Sequence, residues 1–449
     1  MHEQYDLLII GTGTAATVAA VRARDAGWRV AVIDFRRFGG TCALRGCDPK
    51  KVMVDAAQAV DHARRRQGKG VAGDAHLDWH ALMEFKRGFT DPVAEKKERF
   101  YADKGIDAFH GRARFTGPNQ VEVDDARLEG RHILIASGAE PVRLGIPGEE
   151  HMVDSELLLT LDMLPRRVVI VGGGYIAAEF SHVAARAGAQ VTILGNSPRM
   201  LSEFAAETVA WLMPAFKTAG IDVHTGTQVE AIEQCGPFYR VRASSAGKPL
   251  AFNADLVVHA AGRKPDFETL GVAAAGIELD KGRLRLNGCL QSVSNPAVYA
   301  AGDAAGMGPP LTPVSTYDAK VAVGNMLNGN QQTVDYRAVP SVAFTIPPIA
   351  SVGIDEAEAN ERELKFRVRC ANAAEWYTAR HTAQSVYGYK ILIEESSGNI
   401  LGAHLAGPHV DELINLFALA VRHRISAEAL KETLFAYPTS ASDIGEMLG

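Results

Sequence analysis

Two cysteines in the run Gly39-Gly40-Thr41-Cys42-Ala43-Leu44-Arg45-Gly46-Cys47-Asp48-Pro49-Lys50-Lys51 carry most of the chemistry legible in this chain. They stand just after a glycine-rich strand–helix–strand pattern, where a bound cofactor's reactive ring could reach them. On an ideal helix, residues i and i+5 have Cα atoms roughly 8 to 9 Å apart, beyond the ~7 Å limit for a disulfide. If Cys42 and Cys47 pair, the chain must leave regular helix between them, and Gly46 is placed to help it do so. A bond closed under such constraint tends to be readily reduced. From spacing alone, two ordinary buried thiols remain the alternative.

The elements that must position the pair begin with Asp6-Leu7-Leu8-Ile9-Ile10, a short apolar strand running into Gly11-Thr12-Gly13-Thr14-Ala15-Ala16. A helical stretch from Val18 to Ala26 and a second strand, Arg29 to Ile33, end at Asp34. This is the dinucleotide fingerprint with alanine in the third glycine place. The glycines let backbone approach a pyrophosphate, the helix N-terminus offers amides to the phosphates, and Asp34 can accept from a ribose hydroxyl.

The pattern recurs at an offset of 161 residues, with Gly11 mapping to Gly172, Gly13 to Gly174 and Asp34 to Gly195. Tyr175 and Ile176 open the second helix, which runs through Glu179 to Ala187. Two fingerprints imply two dinucleotides. The acid is missing from the second site, where Gly195-Asn196-Ser197-Pro198-Arg199 offers donors and one cation. An acid there would repel a 2′-phosphate, so NADPH is expected over NADH. The alternative is a loop in which Arg199 is merely solvated.

At 449 residues, with 47% hydrophobic and 22% charged content, the chain is long enough for two to four domains of an ordinary globular α/β protein. A formal net charge of -6 argues against nucleic acid as a principal partner. Residues 1–5 lead straight into a strand, so no signal peptide is expected. No apolar run approaches the ~20 residues that span a bilayer, and a cytoplasmic location is expected. Five cysteines do not make a secreted framework, so a close pair reads as catalytic. Cys235, Cys289 and Cys370 read as bystanders, and no metal site is expected. The basic run Arg64-Arg65-Arg66-Gln67-Gly68-Lys69 reads as a solvated helix end or loop, with a role toward an anionic substrate as the alternative, and Trp376, Tyr377, Tyr387 and Tyr389 read as strand packing.

With the cysteine run and both fingerprints in order, the chain resembles the FAD-dependent pyridine nucleotide-disulfide oxidoreductases, such as glutathione reductase, dihydrolipoamide dehydrogenase and mercuric reductase. The resemblance extends through Ala136-Ser137-Gly138-Ala139, Ala260-Ala261-Gly262-Arg263-Lys264-Pro265 and Val298-Tyr299-Ala300-Ala301-Gly302-Asp303. Leu311-Thr312-Pro313 and Val339-Pro340-Ser341-Val342-Ala343-Phe344-Thr345 carry it to the last domain. It implies an α/β fold with two Rossmann-like domains, for FAD and NAD(P), and a C-terminal α+β dimerisation domain. FAD binding would use 1–145 and 265–335, the nicotinamide domain 146–264, and a homodimer interface 336–449. Cys42 would exchange with substrate and Cys47 would lie against the flavin. Lys50 would reach the flavin and pair with Glu179, and Tyr175 would cover the ring. Asp303 would hold the ribityl chain, and Ala113 would meet the adenine. Thr14, Asp34, Thr41 and Thr312 would make further FAD contacts, with Ala15, Gly40, Ser137 and Gly138 lining the FAD site. Ile176, Asn196, Arg199 and Gly262 would line the nicotinamide site.

The chain departs from that pattern where the disulfide reductases carry His-Pro-Thr with a glutamate five residues after the histidine. Tyr437 stands in the histidine place and Ser442 in the glutamate place. General acid–base catalysis is worth about 10²- to 10⁴-fold, and tyrosine is a poor base near neutrality. Leu44 replaces an asparagine between the cysteines, and Asp48 follows Cys47 where an apolar residue is common. The leading expectation is NAD(P)H-driven reduction of a disulfide or related small sulfur substrate through Cys42 and Cys47. Reduction of mercury or another soft metal ion, or of a quinone-like electrophile, using Tyr437, is the first alternative. Mercuric reductase carries a tyrosine in the comparable place, but also an N-terminal metal-binding module and a C-terminal cysteine pair that this sequence lacks. A flavin-bound redox subunit serving a partner protein is the other alternative.

Overall fold

The computed structural model of the chain describes residues 2–449. The chain folds into two compact units. One comprises residues up to Pro49 with Phe85–Val142 and Arg263–Tyr336, and the other Lys50–Glu84, Arg143–Gly262 and Arg337–Gly449.

In the first unit, strand β1 (His2–Ile10) lies between β2 (Val30–Asp34) and the strand Ala126–Ile135, parallel to both. Asp107–His110 extends the sheet beyond β2, and Val298–Ala300 pairs with Ala126–Ile135. Leu7, Leu8 and Ile9 are fully buried, so this strand reads as a continuous apolar run rather than an alternating one. Helix α1 (Thr14–Asp25) buries Ala15, Ala16, Ala19, Ala20 and Ala23, and packs closely against the helix Thr312–Asn328. Small side chains on that face let the two backbones approach closely.

Beyond β2, helix α2 (Gly40–Arg45) ends at Gly46 and helix α3 (Cys47–Arg66) begins at once. Gly46 sits at φ -142, ψ -115, outside helical geometry, so the two cysteines are not on one continuous helix. A Cβ at Gly46 would lie 2.9 Å from the Thr41 carbonyl oxygen, which is why a glycine makes the break.

The second unit repeats the nucleotide-binding pattern. Its parallel sheet runs in the order 221–224, 190–194, 167–171, 256–259, 153–154. The helix Tyr175–Arg186 follows the central strand. Antiparallel strands Thr227–Cys235, Phe238–Ser245 and Lys248–Ala254 form a separate three-stranded sheet. A five-stranded antiparallel sheet, closed by the helix Val410–His423, makes the C-terminal part. Tyr387 and Tyr389 are buried there against Trp376, but Tyr377 opens a short helix, Tyr377–Arg380, and is exposed rather than packed on a strand. Arg65 and Arg66 are not a solvated helix end. They donate to the carbonyls of Thr382 and His381, anchoring α3 to that short helix's C-terminal side.

Candidate active site

At the carboxyl ends of β1 and β2, a crevice is lined by Gly11, Asp34, Ala113, Ser137 and Gly138, five residues expected to line the FAD site. Gly11 takes φ +117, and a Cβ there would stand 2.3 Å from the Ala136 carbonyl oxygen. Gly40, at φ +72, lies so close to Gly13 that a Cβ would reach its Cα at 2.3 Å. Backbone therefore forms the floor beside the N-terminus of α1, as close approach to a diphosphate requires. Asp34 is pre-oriented: its Oδ2 accepts from the Thr12 amide at 3.0 Å and hydroxyl at 2.7 Å, and its Oδ1 from the Arg36 amide at 3.0 Å. Arg112 stacks on Phe35, 3.8 Å from the ring centroid, forming an apolar-and-cationic wall that no sequence motif announced. A narrow cleft, a helix N-terminus and an oriented carboxylate fit the adenosine diphosphate half of FAD.

Asp303 lies in the turn Gly302–Ala304, where burial raises its pKa while Arg263 opposes the shift. That turn is fixed by Asp318, which the sequence reading missed. Its Oδ2 accepts from the Gly302 amide at 3.0 Å and its Oδ1 from the Tyr336 hydroxyl at 2.9 Å. Burial pushes Asp318 up to about 6. Nothing in local sequence marks it, because its partners come from a turn and a loop on opposite sides of its helix.

Cys42 and Cys47 are present as thiols and contact each other by a hydrogen bond. Thr312, first residue of its helix, stands between them. Its hydroxyl donates to Cys42 Sγ at 3.2 Å and lies 3.5 Å from Cys47 Sγ. The hydrogen bond with Cys47, then burial, raises the Cys42 pKa well above the usual thiol range, while Thr312 acts in the other direction. Negative charge on Cys47 is favoured by its place at the N-terminus of the 20-residue helix α3. Asp48 Oδ1 lies 3.8 Å from Cys42 Sγ. Thr14 begins α1, and Ala15 is buried in its first turn. Thr41 is exposed in α2.

In the second unit, Lys50 Nζ stands 2.7 Å from Glu179 Oε2. The buried Glu179 also accepts from the Phe344 amide at 2.8 Å, and Lys50 sits 5.0 Å from the Phe344 ring centroid. Tyr175 leans on Phe204 at 5.4 Å, and burial raises its pKa. Gly172 repeats the arrangement at Gly11: a Cβ would come 2.0 Å from the Ala260 carbonyl oxygen. Gly174 caps the helix, Ile176 is half-buried in its first turn, and Gly262 takes φ +111. Asn196 is exposed. Arg199 turns both terminal nitrogens onto carbonyls of its own loop, Leu201, Ser202 and Phe204, which leaves less of it for a phosphate than the sequence expectation assumed. Tyr437 is 79% exposed, and Ser442 is engaged locally with Thr439 in a capping box. Among the described residues, no group of three or more His, Cys, Asp or Glu side chains is arranged to hold a metal ion.

Residues 5–319 match the pyridine nucleotide-disulphide oxidoreductase family, and residues 339–448 match its dimerisation domain. The chain belongs to the pyridine nucleotide-disulphide oxidoreductases. It is similar to a mercuric reductase of Lysinibacillus sphaericus, 31% identical over 99% of this chain and 82% of the relative. A glutathione reductase of Burkholderia cepacia is 30% identical over 98% of this chain and 97% of that one. Among solved structures, the Cu(II) complex of the HOCl-induced flavoprotein disulfide reductase RclA from Escherichia coli aligns with TM-score 0.88 at 27% identity, covering 99% of each chain. As a family member the protein is an FAD- and pyridine nucleotide-dependent oxidoreductase with a mixed α/β fold and a C-terminal dimerisation domain. Among the described residues, no helix is long and apolar enough to cross a membrane.

Proposed function

We propose that the protein is a cytoplasmic homodimer that uses NADPH to reduce a disulfide or related small sulfur substrate through Cys42 and Cys47. The observation that carries the reading is the thiol pair joined through Thr312, with Cys47 at the N-terminus of α3. FAD, when bound, supplies two-electron transfer between the nicotinamide and the cysteine pair. Gly11, Gly13, Thr14, Gly40, Asp34 and Ala113 would hold its adenosine diphosphate half, and Asp303 its ribityl chain. Lys50, held by Glu179, would place positive charge toward the flavin, and Tyr175 would guard its nicotinamide face. Cys42 then exchanges with the substrate, and Cys47 resolves the mixed disulfide. The same assignment puts FAD binding at 1–145 and 265–335, nicotinamide binding at 146–264 and dimer contacts at 336–449. The NADPH preference rests on Gly195, which removes the acid that Asp34 supplies in the first site; Asn196 and Ser197 add neutral donors.

A second reading, reduction of a soft metal ion, is favoured by Tyr437 in place of the family's histidine. The names of the mercuric reductase relative and of the Cu(II)-bound RclA structure point the same way. Anaerobic titration with dithionite and then NADPH tests the shared core. Two-step uptake of four electrons with a long-wavelength charge-transfer band is expected, and simple two-electron uptake would remove the cysteine pair from the chemistry. A panel of disulfides, Hg(II), Cu(II) and quinones, read by NADPH consumption, then separates the two readings.

A further inference from the structure

We infer that Asp48 accepts and returns the Cys42 proton during exchange with a disulfide, standing in for the histidine–glutamate pair whose places Tyr437 and Ser442 occupy. The inference rests on the disulfide reading above. Among the described residues, the side chains that hydrogen-bond to Cys42 are Cys47, Thr312 and Asp48. Cys47 needs its negative charge to act as resolving nucleophile. Thr312 donates its hydroxyl proton to Cys42 and is no base. Asp48 is the remaining group: a carboxylate in the first turn of α3, exposed to incoming substrate, with Oδ1 3.8 Å from Cys42 Sγ. The break at Gly46 turns it there, since α3 starts in a new direction from α2.

The two-electron-reduced pair carries one proton, on Cys42, with Cys47 as thiolate. A carboxylic acid is far stronger than a thiol, so the proton stays on sulfur until a new bond to sulfur begins to form. As Cys42 Sγ attacks one sulfur of RS–SR, its proton passes to Asp48 and the substrate S–S bond breaks. The first RS⁻ leaves and takes that proton from Asp48 as RSH. Cys47 then attacks Cys42 Sγ in the mixed disulfide, closing the Cys42–Cys47 bond and releasing a second RS⁻, which is protonated from solvent. One disulfide gains two electrons and two protons to become two thiols, and the cysteine pair loses the same two electrons.

The demand for an acid depends on the leaving thiol. Bis(2-hydroxyethyl) disulfide releases an alkyl thiol that must be protonated, whereas 5,5′-dithiobis(2-nitrobenzoate) releases an acidic aryl thiol that departs as the anion. Holoenzyme reduced anaerobically with NADPH is mixed with each, and reoxidation is followed by stopped flow. Asp48→Asn should slow reoxidation by the aryl disulfide about tenfold or more, because Cys42 must still lose its proton, slow the alkyl reaction further, because its leaving thiol must also be protonated, and leave reduction by NADPH unchanged. Asp48→Val should give the same graded loss, which guards against an effect peculiar to asparagine. A loss no greater with the alkyl than with the aryl disulfide, or no loss with either, would overturn the role of Asp48 and leave the disulfide reading standing. If the unmodified reduced enzyme is reoxidised by neither disulfide, that reading falls and the inference with it.

Discussion

Replacing Cys42 by serine should leave Cys47 as a thiolate against oxidised flavin, with absorbance beyond the normal flavin bands; Cys47→Ser should show none. The reverse pattern would exchange the two roles. At the nicotinamide site, Gly195→Glu should restore the missing acid and move the NADPH to NADH ratio of flavin reduction rates at least tenfold toward NADH, about 1.4 kcal/mol. Arg199→Ala should change that ratio far less, because its terminal nitrogens are already turned to loop carbonyls. These residues differ in how far sequence revealed them. The cysteines and fingerprint glycines were legible because backbone geometry admits few residue types there. The use of Arg199 and the contact of Asp48 with Cys42 were not, since side-chain direction depends on loop carbonyls and on the exact break at Gly46.

The helix Tyr175–Arg186 carries a buried charge arrangement that makes stability depend on pH. His182 is fully buried against Phe216, and Arg186 Nη1 donates to its Nδ1 at 2.9 Å while pairing with Asp61 at 2.6 Å. Burial first, then Arg186, hold His182 well below its ordinary value. The folded state therefore binds fewer protons than the unfolded chain once pH falls below about 6.5, and stability drops with it. Asp318 works the other way, since its pKa of about 6 lets the folded state take up a proton before the unfolded chain does. The His182→Gln variant should therefore lose less Tm between pH 7.5 and 5.5 than the unmodified protein, whatever its Tm at pH 7.5. A thermal-denaturation series reads this directly, and an unchanged slope would remove His182 as the titrating group. The helix itself was legible from its fingerprint. Its charge cluster was not, because Asp61 comes from α3, over a hundred residues earlier.

Across the whole molecule, the repeated fingerprint and dimerisation segment could be read in order, but not the way the chain crosses between its units. The first unit is assembled from three separated stretches, and its Cys42–Thr312 hydrogen bond joins residues 270 apart. Such pairings follow from strand order, here the insertion of Val298–Ala300 beside Ala126–Ile135, and no local pattern encodes it. Leu434 is 98% exposed beside Tyr437 in the C-terminal run, an apolar surface suited to burial in a dimer. Leu434→Asp should shift sedimentation toward a monomer. A second consequence concerns biosynthesis. At roughly 5 to 20 residues per second, the ribosome delivers Thr312 on the order of 15 to 50 seconds after Cys42. Until then the nascent chain carries both thiols without the helix that orders them and without Asp303. A chain stopped after Gly262 should bind no flavin and should react with thiol-alkylating reagents without protection. The redox centre thus waits for most of the chain to be made, although its cysteines are among the first residues to leave the ribosome.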